Sequence, residues 1–107
     1  MERRHFIHCR IAGFTFYDAP VVFSELSVGT ELHLVAEPDN HYDAHAVAVF
    51  FNQHKLGFLP RNENNAVSKL LEMGYADIFE TRIQRISPAS EPENQVQIIV
   101  YLKPAVA

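Results

Sequence analysis

At 107 residues, 48% apolar and 21% charged, the chain is long enough for one hydrophobic core but not two, and its composition is that of a globular chain, not a disordered one. The formal charge of −4 excludes a protein that coats nucleic acid nonspecifically, because such binding rests on releasing counterions from many phosphates. It leaves room for a small local site, since charges more than roughly 8 Å away are screened at physiological salt.

Residues 5–12 alternate loosely, with Ile7, Cys9 and Ile11 on one face, and predict a first strand. The basic Met1-Glu2-Arg3-Arg4 ahead of it is followed by no apolar run, because His8, Cys9 and Arg10 interrupt, so no leader peptide is expected. No stretch approaches the ~18 apolar residues of a membrane span, and Cys9 is the single cysteine; a reducing, cytoplasmic home is expected. Gly13 breaks the pattern, and Phe14-Thr15-Phe16-Tyr17 reads as extended, the glycine marking a bulge or bend of the kind barrel walls need. Neighbours on a strand point oppositely, so one of Phe16 and Tyr17 is expected in the core. Asp18-Ala19-Pro20 is a turn and 21–26 a short helical turn, ended by Gly29.

Residues 31–36 form a cleaner strand, with Leu32, Leu34 and Ala36 inward. Glu37-Pro38 then stops it, since Pro38 has no N–H for a ladder. Asp39, Asn40 and Asp43 make a specified turn, because their short side chains bond the local backbone. The strand 46–51 is apolar on both faces and pairs across Asn52-Gln53 with 55–59, which Pro60 ends. Asn62 is read as the N-cap of a helix running to about Met73, with Gly74 as its C′ residue and Ala66, Val67, Leu70 and Leu71 on its apolar face. A strand over 77–86, a hairpin loop over 87–94 and an alternating strand over 96–102 complete the domain; 103–107 is expected to fray. About six short strands with one main helix predict a mainly β fold, an OB-like or SH3-like barrel with a core over about 6–102.

The order of these signals resembles the HIRAN domain family. The resemblance is carried by Ile11-Ala12-Gly13-Phe14-Thr15-Phe16-Tyr17, by Gly29-Thr30-Glu31-Leu32-His33-Leu34, by the run from Glu37-Pro38 through Tyr42-Asp43 to Val49, and by Lys55-Leu56-Gly57-Phe58-Leu59-Pro60-Arg61. It implies a modified OB-like barrel that binds single-stranded DNA and captures a free 3′-hydroxyl end. Its setting would be DNA repair or fork remodelling, with a helicase or nuclease as protein partner. Carried over residue by residue, Phe16 and Tyr17 lie near the terminal nucleotide and Tyr42 packs a base. Asn40 and Asp43 reach the 3′-hydroxyl, and Arg61 meets a phosphate. Phe58 lies near the phosphates where the DNA-binding form has a polar residue, and Thr15 stands where that form has an arginine. Both departures thin the electrostatic part of the site.

The residues also admit other readings. Asp39, Asn40 and Asp43 suit bonding the turn's own N–H groups, and strand aromatics suit a core. Arg61, placed just before the expected N-cap, suits an anion at a helix N-terminus or a solvated surface. His41, Asp43 and His45 would share a face in an extended segment and are weak candidates for a metal-dependent hydrolase, without a Cys-x-x-Cys or His-Glu-x-x-His frame. Lys55 and Cys9 read as ordinary surface and core residues. No nucleophile–base pair or phosphate loop is visible, so the expectation is a binding module, not an enzyme, with no cofactor. A groove for a protein or peptide is the alternative ligand class.

Overall fold

The computed structural model of the chain describes residues 2–104. Six strands form where the sequence alternates or runs apolar: β1 Arg4–Arg10, β2 Glu31–Ala36, β3 Val47–Phe51, β4 His54–Phe58, β5 Phe79–Ile86 and β6 Val96–Leu102. Every pairing is antiparallel, and the order across the sheet is β1-β6-β5-β2-β3-β4. The two ends of this order meet just beyond β1. Ala12 and Phe58 exchange both backbone hydrogen bonds, at 2.7 and 2.9 Å, which lays the continuation of β1 against β4. The sheet therefore closes on itself, as the predicted barrel requires.

That closure depends on Gly57. Its φ is 149°, and a Cβ built there would lie 2.3 Å from the Ala12 carbonyl oxygen and 2.7 Å from Ile11 Cγ2. Inside the closed sheet lie Ile11, Phe14, Leu32, Val49, Leu56, Ile83 and Ile98, none more than 2% exposed. Each such side chain contributes about 1.5–3 kcal/mol by leaving water, so the walls that carry the surface loops are rigid. Cys9 belongs to the same interior, and burial pushes its thiol up to about 12.

Two short helices complete the fold, α1 Ala19–Val22 and α2 Asn65–Glu72. α2 starts later than expected: a 3-10 turn, Arg61–Glu63, occupies the predicted first turn, and Asn64, not Asn62, stands at the N-cap. Its end is as expected. Gly74 at φ 90° donates to the Leu71 carbonyl at 3.1 Å and Tyr75 to that of Leu70 at 2.9 Å, the paired bonds of a Schellman cap. Val67 and Ser68 are buried, with Leu70 and Leu71 packed against the core, whereas Ala66 is exposed. Ser68 tolerates burial because its hydroxyl donates to the Asn65 carbonyl at 2.9 Å.

A second difference falls on 14–17. The segment is not extended: Gly13, left-handed at φ 71°, turns the chain into a 3-10 turn, Phe14–Phe16, closed by Phe16 N–H to Gly13 C=O at 3.0 Å. Phe14 drops into the core edge-on to Phe23, with ring centres 6.1 Å apart. Neither Phe16 nor Tyr17 follows it, so the expectation that one of them is buried fails. Of the predicted tail, Lys103 donates its N–H to the Ile78 carbonyl at 2.7 Å, and residues 105–107 lie outside the described residues.

Candidate functional site

Three separate segments meet beside the closure. The turn after β1 brings Gly13, Phe16 and Tyr17; the β2–β3 loop brings Asn40, Tyr42 and Asp43; the end of β4 and the chain into the 3-10 turn after it bring Phe58, Leu59 and Arg61. Two backbone links hold them together: the Ala12–Phe58 exchange, and the bond from Leu59 N–H to Val47 C=O at 2.9 Å. Together they line a cavity of about 260 Å³. All seven residues singled out in the sequence, Phe16, Tyr17, Asn40, Tyr42, Asp43, Phe58 and Arg61, are on its wall.

The β2–β3 loop is built from its own side chains, as turn chemistry predicts. The Asn40 carbonyl oxygen accepts the N–H groups of Tyr42 at 2.9 Å and Asp43 at 3.2 Å, and its amide donates to Glu37 at 3.1 Å. Both acceptor lone pairs of Asn40 are thereby used, which leaves it one free N–H to offer a ligand. Asp43 Oδ1 accepts from His45 N–H at 2.9 Å and Oδ2 from the Asn64 amide at 2.8 Å. This fixes the loop to α2, at whose N-cap Asn64 stands without a side-chain capping bond. A carboxylate has about four acceptor sites, so two remain open. The His45 N–H, opposed by burial and helped by Asn64 and Arg61, holds the Asp43 carboxyl below its usual range, so it is an anion at neutral pH.

Tyr42 is held by its backbone and free in its side chain, 84% exposed at the rim; Phe16 opposite is 79% exposed. Tyr17 stands edge-on to Phe58, with centres 5.6 Å apart, and forms a firmer aromatic wall. Arg61 donates to the Tyr42 carbonyl at 2.8 Å and lies 3.9 Å from Asp43 Oδ2. One hydrogen bond leaves most of its five N–H donors available.

Two residues of this neighbourhood escaped the sequence reading. Lys55 is not a plain surface residue: its ammonium is 2.7 Å from Glu37 Oε2, and it lies 4.8 Å from the Phe58 ring centre and 5.3 Å from that of Tyr17. It braces the aromatic wall and ties β4 to the start of the loop. Burial opposes the Glu37 carboxylate, but the Lys55 and Asn40 bonds outweigh it and bring its pKa below the ordinary value. Asn64 is the other. In a run containing Asn62, Asn64 and Asn65, local pattern does not reveal which one reaches a residue 21 positions back. The weak metal reading does not hold: residues 41–45 form bends and turns rather than an extended segment, so alternate residues do not share a face. Among the described residues, no group of three His, Cys, Asp or Glu is placed to hold a metal ion.

Comparison with known proteins gives the following. A family model described as HIRAN domain matches residues 5–104. The crystal structure of a protein from Lactobacillus plantarum superposes with a TM-score of 0.76 at 21% identity, covering 94% of each chain. The HIRAN domain of human HLTF superposes with a TM-score of 0.60 at 16% identity, covering 95% of this chain and 81% of that one. At these identities the likeness is one of fold. No curated protein sequence matches the chain.

Proposed function

The chain belongs to the HIRAN domain family, generally a DNA-binding module, and from that premise we propose that it captures single-stranded DNA at a free 3′-hydroxyl end. The observation that carries this reading is the pairing, in one cavity, of a carboxylate held ionised with two exposed aromatics and an arginine. Asp43 accepts a hydrogen bond from the terminal hydroxyl and repels the phosphate that a continuing strand would place there. Tyr42 and Phe16 stack the last base, at about 1–3 kcal/mol per stacked base. Asn40 offers its remaining N–H, and Arg61 meets the preceding phosphate over the apolar floor of Tyr17 and Phe58. The cavity is near the lower end of small-molecule sites, roughly 300 Å³, which suits one terminal nucleotide. The single domain, with its core over 6–102, would act in the cytoplasm at DNA ends in repair or fork processing, beside a helicase or nuclease.

The alternative occupant of the same groove is a protein segment. It is favoured by the charge: Arg61 is the one cation among the lining residues, and the nearby Lys55 is tied to Glu37. The discriminating experiment is fluorescence anisotropy of short labelled oligonucleotides at low salt, ending in a 3′-hydroxyl or a 3′-phosphate. End capture predicts about tenfold or greater weakening for the blocked end. With one or two phosphates contacted, log K should fall against log salt with a slope of about −1. Equal binding of the two ends removes end capture, and no binding of either favours the protein segment.

A further inference from the structure

A strand edge away from this cavity has been left unpaired. β2 faces β3 along His33, Leu34, Val35 and Ala36, but faces β5 only at Glu31 and Leu32. The bond from Glu37 N–H to Ala46 C=O, 2.8 Å, fixes the phase of the ladder. Alternate residues of an antiparallel pair exchange bonds, so His33 and Val35 direct their N–H and C=O groups to β3, and Leu34 and Ala36 direct theirs away from it. β5 begins at Phe79, and its register with β2 has already ended at Leu32–Thr81, so Leu34 and Ala36 meet no strand. Among the described residues, no hydrogen bond to a neighbouring turn or helix takes the place of one.

Where β2 and β5 splay apart, two contiguous depressions of about 230 and 540 Å³ run along the edge, sharing Leu34, Leu71 and Ala76 as walls. None of the residues lining the candidate DNA cavity lines them. Exposed strand edges are ordinarily blunted by lysine, proline, a bulge or a covering helix; this one has none of the first three before Pro38. The end of α2, which packs against β2, leaves Leu34 and Ala36 half-buried at the groove rather than covered, with Val35 46% exposed. The charged residues around the groove are Glu31, Glu72 and Asp77 against Lys103.

We propose that this edge takes an extended segment of a partner protein, with basic and apolar residues in alternation, as an added strand beside Leu34 and Ala36. An extended backbone supplies donors and acceptors at the spacing the edge presents, and alternate side chains reach the groove. The acidic rim selects a basic segment. It also disfavours a second copy of the chain, whose own β2 edge would bring the same acids face to face.

The test is amide hydrogen exchange by NMR, with a capped hexapeptide of alternating lysine and valine as probe. In the free protein the amides of Leu34 and Ala36 should exchange fast and that of Val35 slowly. Saturating peptide should slow Leu34 and Ala36 about tenfold or more, while a glutamate–valine peptide does not. N-methylation of the probe should abolish the effect in one alternating phase and spare it in the other, and Glu72→Lys with Asp77→Lys should weaken binding several-fold. The proposal is overturned if Leu34 and Ala36 are already protected in dilute free protein, or if their protection grows with protein concentration alone. It is equally overturned if the lysine–valine peptide has no effect at millimolar concentration, or perturbs Tyr42 and Asp43 instead.

Discussion

Asp43 has two duties in this molecule, and they are separable. Its carboxylate bolts the β2–β3 loop to α2 through Asn64 and faces the cavity with two acceptor sites to spare. Asp43→Asn keeps an oxygen for the His45 N–H, and its new amide can donate to the Asn64 oxygen once that side chain turns over, so the fold should persist while the charge, and with it discrimination against a 3′-phosphate, is lost. The cost to 3′-hydroxyl binding should be ~1.5–3 kcal/mol, about ten- to a hundredfold in Kd. Asn64→Ala removes the tether alone and should weaken both ends alike with the preference intact. Anisotropy with the two oligonucleotides measures both, and an Asp43→Asn protein that still prefers the free hydroxyl would falsify the assigned role. At this scale turn chemistry made the bonds of Asn40 and Asp43 inside the loop legible, since each of those partners lies within three residues. Lys55 and Asn64 were not legible, because their partners Glu37 and Asp43 lie 18 and 21 positions away.

Among the elements, β4 controls the site's shape through one residue without a side chain. Gly57→Ala would force a methyl against the Ala12 carbonyl and would hold an L residue at φ 149°. The combined strain should cost about 3 kcal/mol or more, and should open the closure that places Phe58 against the turn after β1. A urea titration followed by circular dichroism, suited to a chain without tryptophan, should show that loss; an unchanged midpoint would mean the closure is not required for stability. The strands were readable because alternation reports which face is buried. Residues 14–17 were misread because alternating aromatics look alike on a strand and on a 3-10 turn, and the left-handed Gly13 that decides between them leaves the same mark as a bulge. The late start of α2 has a similar origin: a 3-10 turn and the first turn of a helix carry the same local residue pattern, and 61–63 takes the former.

For the whole molecule, acid should be the weak side. Asp43, Glu37 and Glu80 all titrate below their ordinary values in the fold; for Glu80 the Arg82 bond leads, burial opposes and Arg3 assists. A carboxyl whose folded pKa is depressed binds protons more readily when unfolded, so its contribution is complete above the unfolded pKa of about 4 and fades as pH falls through the folded value. Stability should therefore be level from about pH 5 to neutrality and decline below about pH 4, as urea midpoints across that range would report. A protein equally stable at pH 3 and pH 7 would contradict the three pairings.

Composition, alternation and turn chemistry determined that the chain is mainly β with one main helix, where most strands run, and that a side-chain-bonded turn follows β2. Those properties reside within a few residues of sequence. Only the tertiary structure decided that three segments meet around one cavity, that Lys55 braces it and Asn64 ties its loop to a helix, and that β2 keeps a free edge. Each of these depends on how distant parts of the chain meet or fail to meet, set by strand register and by the closure at Ala12 and Phe58, and register is a property of pairs of strands that neither strand holds alone.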